Sequence, residues 1–195
     1  MKVCAVVLLS ILPALAVVNN FDKNKTAGDP AAPIAIQVFS DFQCPTCKVF
    51  HEQTLPLLMK DYVLPGKVYV IFRDYPLRGH QYSRVAASYA VAASQLGLYD
   101  TVANALFRDQ SVWAASGKVW DSVASVLKPA QQAKVHAAAE SPSVMSEIQH
   151  DLDVGNAVPV NGTPTLVISH GAKTYPVSGG MSYYLLQKFL DDLAK

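Results

Sequence analysis

Phe39-Ser40-Asp41-Phe42-Gln43-Cys44-Pro45-Thr46-Cys47 carries two cysteines separated by two residues, directly after an apolar stretch. A Cys-x-x-Cys pair closes a small disulfide ring with little backbone movement, so it can cycle between dithiol and disulfide and pass two electrons. Upstream, Ile34-Ala35-Ile36-Gln37-Val38-Phe39 has the short, β-branched character of a buried strand. Downstream, Val49, Phe50, Leu55, Leu57, Leu58 and Met59 supply the apolar face of a helix. Pro45 falls in its first turn, where a missing N–H does no harm. Pro56 falls in its interior and predicts a kink. Pro65-Gly66 marks a turn, and Val68 to Phe72 reads as a second buried strand. Strand, helix and strand in this order predict a right-handed βαβ unit with parallel strands.

The compartment follows from the first residues. Lys2 precedes an apolar run from Val3 to Val18, broken by Ser10, and Ala14-Leu15-Ala16 offers small residues at the spacing a signal peptidase reads. Residues 1–16 therefore read as a secretory leader that takes Cys4 with it and leaves Cys44 and Cys47 as the chain's thiols. At 16 residues the run is shorter than the roughly 20 a spanning helix wants. Cleavage or retention as an anchor is left open. Removing the leader takes away Lys2 and no acid, so Lys+Arg falls from 16 to 15 against Asp+Glu 15. A net charge near zero favours neither nucleic acid nor an anionic membrane as partner. Residues 17–33 are polar and without a usable period, which reads as a flexible N-terminal segment, with folding starting at Ile34.

Between Leu77 and Asn156 the strand signals stop and helical ones follow. Val85, Tyr89, Ala92 and Leu96 share a face, with Gly97 to cap; Val119, Trp120, Val123 and Leu127 form another stripe. Ser141 before Pro142 predicts an N-cap, with Val144, Ile148 and Leu152 at helical spacing and Gly155 as a stop. Thr165 to Ser169 and Thr174 to Val177 then predict a hairpin across His170-Gly171, and Ser182 to Ala194 a closing helix. The expected fold is α/β, with residues 34–76 and 157–195 forming one βαβ–ββα domain and residues 77–156 an all-helical insertion.

A βαβ half with Cys-x-x-Cys at its helix start, a helical insertion, and a ββα half opened by Gly162-Thr163-Pro164-Thr165 resembles the DsbA-like branch of the thioredoxin superfamily, over about Ile34 to Lys195. The resemblance implies a thioredoxin-like fold and a thiol–disulfide oxidoreductase that introduces disulfides into exported proteins in the periplasm or outside the cell. It implies a cis bond at Thr163-Pro164 and a loop there that faces Cys44, binds an extended substrate strand and keeps metal off the thiolate. It also implies a monomer without organic cofactor or metal, reoxidised by a quinone-linked membrane partner of the DsbB or VKOR kind. The division of labour follows from the residues themselves. A cysteine at a helix start lies in the positive end of the macrodipole near unpaired N–H groups, which lowers its pKa. Cys44 is the expected nucleophile and Cys47 the more buried resolving thiol, with Pro45 and Thr46 as the dipeptide that tunes them.

One position departs from the family pattern. The family often carries an acidic side chain on the first strand, six residues before the nucleophile, to move the proton of the buried thiol; here that residue is Val38. The expectation is that proton transfer to Cys47 uses water or another group. Other readings of the chain stay open. A disulfide reductase or isomerase of the same fold is one, although the isomerases generally bring a dimerisation domain that residues 17–33 are too short to supply. A metal module is another, because Cys44, Cys47 and His51 form Cys-x-x-Cys-x-x-x-His, three ligands where a closed zinc site takes four. His80, His136, His150 and His170 are scattered and suggest no triad.

Overall fold

A computed structural model describes residues 24–195. The leader, Cys4 and residues 17–23 lie outside the described residues. No helix among those described is long and apolar enough to cross a membrane.

Five strands form one sheet in the order β1-β3-β2-β4-β5. They are β1 (Thr26–Ala27), β2 (Ile34–Ser40), β3 (Val68–Asp74), β4 (Thr165–His170) and β5 (Lys173–Ser178). β2 and β3 run parallel, with Val38 opposite Phe72, and the other pairs are antiparallel. The parallel pair needs a crossover, and helix α1 provides it. This helix runs from Pro45 to Val63, its turns alternating between α (Pro45–Val49, Leu55–Leu58) and π (Phe50–Thr54, Met59–Val63). Pro56 does not break it. The Leu55 N–H reaches back five residues to the Phe50 carbonyl, a wide turn placed just where proline removes a donor and would crowd the carbonyl four residues before it. The expected kink is thus a change of helical pitch.

Alternation along β2 divides the core. Ile34, Ile36 and Val38 face Phe50, Leu55 and Leu58 of α1 and Leu186 and Leu190 of the C-terminal helix α8 (Tyr183–Leu193). Phe39 faces the other side with Val160 and Val167. The insertion lies between β3 and β4 as helices α2 (Ser83–Ser94), α3 (Tyr99–Arg108), α4 (Gln110–Ser116), α5 (Val119–Ala124), α6 (Pro129–Ala138) and α7 (Pro142–Asn156). Ser141 caps α7 as expected, its side chain accepting from the Val144 N–H. The stripe read for α2 is out of phase. Val85 and Leu96 are exposed, and the buried residues are Ala86, Ala87, Ala90, Val91 and Ala93 with, from the expected stripe, Ala92. Alanines let helices approach closely, so the small residues form the contact that large apolar ones were expected to make.

The segment read as flexible is ordered from Lys25 onward. Thr26 and Ala27 pair with Ile71 and Val70 of β3, and the Lys25 carbonyl accepts from the Phe72 N–H at 2.8 Å. Lys25 is fully buried. Its ammonium lies 3.2 Å from Asp74 and 2.9 Å from Glu147, and it bonds Asp151, which also takes the Arg73 guanidinium at 2.9 Å. Gly28, at φ +93°, passes so close to β3 that a Cβ there would lie 2.7 Å from the Val68 carbonyl. The polar composition of residues 17–33 hid this, because the partners of Lys25 lie 49 and 126 residues away.

Candidate active site

The chain leaves β2 at Ser40, turns through Asp41-Phe42-Gln43 and enters α1 at Pro45, so Cys44 is the residue capping the helix and Cys47 lies on its first turn. Cys44 is 7% exposed and Cys47 0%. Asp41 holds the turn. Its buried carboxylate accepts from the backbone N–H groups of Gln43 (2.7 Å) and Leu77 (2.8 Å) and pairs with His80 Nδ1 (2.7 Å), while its own backbone N–H donates to Cys47 Sγ at 3.4 Å. Gln110, at the start of α4, donates its amide to the carbonyls of Phe42 (2.6 Å) and Cys44 (3.0 Å). Gln43 accepts from the Tyr82 N–H at 2.8 Å.

Across from the cysteines, Thr163-Pro164 is a cis peptide bond. The Thr163 carbonyl lies 3.3 Å from Cys44 Sγ. The Thr163 hydroxyl is buried without a hydrogen-bond partner. Gly180 brings the segment after β5 against Thr46, where a Cβ would sit 2.9 Å from Thr46 Cγ2.

The two thiols are driven apart. The Cys44 thiol is lowered from the ordinary 9 to about 5, first by the hydrogen bond from Cys47, then by Thr163 and the backbone N–H groups of the first turn, all against a burial penalty. Cys47 is raised far above its ordinary value, first by burial and then because its proton is shared with Cys44. The Asp41 N–H, Thr163 and Ser40 offset only part of that. At neutral pH the reduced site therefore holds one thiolate and one thiol, the state needed for disulfide exchange.

Thus Cys44, Cys47, Pro45, Thr46, Thr163 and Pro164 come together. His51 does not join them. Its Nε2 pairs with Asn104 Oδ1 at 2.7 Å and its ring stacks on Phe107, both in α3, so it joins α1 to the insertion. Val38 is buried beneath α1 among apolar side chains, as strand alternation requires. His80 and Gln110 were not legible in the sequence, since nothing in the spacing of an isolated histidine or glutamine marks it as the clamp of a turn 39 or 66 residues away.

The family model described as thioredoxin matches residues 21–192. A probable disulfide bond formation protein D of Bacillus anthracis is 22% identical over 154 residues, covering 76% of this chain and 71% of that protein. Among solved structures, α-DsbA1 of Wolbachia pipientis superposes with a TM-score of 0.71 at 21% identity, over 87% of this chain and 89% of that one. Oxidised BdbD of Bacillus subtilis does so at 0.70 and 22%, over 88% and 93%. The structural likeness shows a shared fold, and a family match that takes in nearly all of the folded chain assigns this protein to the thioredoxin family.

Proposed function

We propose that this protein is a thiol–disulfide oxidoreductase that introduces disulfides into exported proteins. A substrate thiolate attacks Cys44 Sγ of the Cys44–Cys47 disulfide; the mixed disulfide forms and Cys47 departs with the electron pair. A second substrate thiolate then attacks the substrate sulfur of that bond, so the substrate leaves with a disulfide and Cys44 leaves as its thiolate. Thr163 and Pro164 hold the extended substrate backbone beside the sulfurs, and Pro45 and Thr46 set the potential without contributing charge.

The observation that carries the oxidising direction is the Cys44 thiol at about 5. A stabilised thiolate favours the reduced enzyme, and a stable reduced form makes the disulfide the better oxidant. The likeness to proteins named for disulfide bond formation supports the same reading. The leader read in residues 1–16 supports an extracytoplasmic location, and a site that must be reoxidised after every turnover calls for a quinone-linked membrane partner. The deciding experiment is the equilibrium potential of the Cys44–Cys47 couple against glutathione. A value above about −200 mV is expected; one near that of cytosolic thioredoxin, about −270 mV, overturns the oxidase in favour of a reductase.

A further inference from the structure

Cys47 is sealed from solvent, yet its sulfur must gain a proton each time the disulfide is opened and lose one each time it is closed. Beneath α1, between the sheet and α3, lies a narrow cavity of about 20 Å³. One water molecule needs roughly 10–15 Å³ by this measure, so the cavity has room for one. Its wall is apolar except for Ser40, His51, Tyr99 and Asp100. Ser40 is the inner end: it lines the cavity at the close of β2, and the N–H of the next residue, Asp41, donates to Cys47 Sγ at 3.4 Å, which sets that sulfur against the end of the strand. The outer end is a second, more open cavity of about 200 Å³ that shares His51, Leu55, Phe72 and Asp100 with the first.

Three titratable groups line this passage, and two are committed elsewhere. The Tyr99 hydroxyl donates to Asp74 at 3.0 Å, and burial pushes its phenol well up. His51 Nε2 is tied to Asn104, and burial lowers the imidazole below its ordinary 6.5 despite the charges of Asp100 and Glu52, so it is neutral at pH 7. Asp100, on the first turn of α3, is the carboxyl on the wall and keeps part of its surface in solvent. Burial raises it, with the His51 charge opposing. Asp41 and His80, which clamp the active-site turn, do not line the passage.

We propose that Asp100, a residue of the helical insertion, exchanges the proton of Cys47 with solvent by way of Ser40 and one water in this cavity. The inference rests on the thiol–disulfide reading. When the Cys44–Cys47 bond breaks, Cys47 takes the electron pair and the Ser40 hydroxyl gives it a proton. The water reprotonates Ser40, the Asp100 carboxyl reprotonates the water, and solvent restores Asp100. On closing, Cys44 is held in a mixed disulfide with the reoxidising partner; the proton leaves Cys47 along the same line as its thiolate attacks Cys44 Sγ, and the partner's sulfur departs with the electron pair. Asp100 touches neither sulfur and is a positioning and relay residue.

The test is single-turnover reduction of the oxidised protein by dithiothreitol from pH 4 to 8, read by acid quench and thiol alkylation, with each rate divided by the reductant's thiolate fraction. Neither cysteine titrates in the oxidised form. The wild-type rate should fall as pH rises through a carboxyl held above its ordinary 3.8. Asp100→Asn should lower the acid-side rate about tenfold or more and flatten the profile. Ser40→Ala should do the same. The reduced Asp100→Asn protein should still show the Cys44 titration at about 5, which reports an intact site. An unchanged rate and profile in Asp100→Asn overturns the relay. A wild-type disulfide that the dithiol does not open at all overturns the oxidoreductase reading instead.

Discussion

At the scale of single residues, function turns on two sulfurs that share one proton. Cys44 and Cys47 are the same side chain three residues apart, and burial decides which of them ionises. Because the hydrogen bond from Cys47 is the largest cause of the low Cys44 value, Cys47→Ala should move the Cys44 titration upward from about 5 towards 9, read as thiolate absorbance near 240 nm. The same split sets a slope. Above pH 5 the reduced pair is one thiolate and one thiol, so reduction takes up one proton and the potential should fall by about 30 mV per pH unit; below pH 5 it takes up two and should fall by about 59 mV. A slope of about 59 mV maintained at pH 7 would mean that Cys44 is still protonated there.

At the scale of elements, the short strand β1 does more than its two residues suggest, because it delivers Lys25 into the joint between β3 and α7. Three carboxylates surround that ammonium away from water, and the Arg73 guanidinium pairs with one of them, Asp151. Lys25→Met would leave an excess of buried negative charge, and a loss of about 3–5 kcal/mol in urea unfolding is expected. Asp74 adds a pH dependence. Burial, only partly offset by Lys25, raises its carboxyl from 3.8 to about 6, so the folded state holds this proton more tightly than the unfolded chain. Its contribution is favourable below about pH 4 and is lost as pH rises through about 6. Asp74→Asn should remove that decline from the stability profile between pH 4 and 6. The order of residues 25–33 was illegible for a physical reason: a lysine in a polar stretch reads as solvated until distant strands and helices supply its counter-charges.

At the scale of the whole molecule, the active site sits on the seam between two cores. Phe42, Cys44 and Cys47 pack with the insertion, while Val38 and Phe50 pack with the sheet and α8. On the other side of β2 from Val38, α7 packs just as closely. Gly155 of α7 lies so near Tyr75 and Phe39 that a Cβ would sit 2.5 Å from the first and 3.1 Å from the second. Gly155→Ala should therefore cost about 1–3 kcal/mol in chemical unfolding, since well-packed contacts resist added volume. Much of the molecule was written locally. The β-branched run before Cys44, the proline at the start of α1, Ser141 before Pro142 and Gly171 in the β4–β5 turn each carry a short-range signal, and with the Cys-x-x-Cys spacing they determined the fold class, the strand and helix order and the redox pair; the turn itself is Gly171-Ala172, one residue later than expected. Tertiary structure alone decided the buried lysine, the alanine face of α2, the Asp41–His80 and Gln110 clamps and the passage to Asp100. Each of these depends on burial or on a partner far away in sequence, and neither desolvation nor a long-range hydrogen bond exists until the chain has closed on itself.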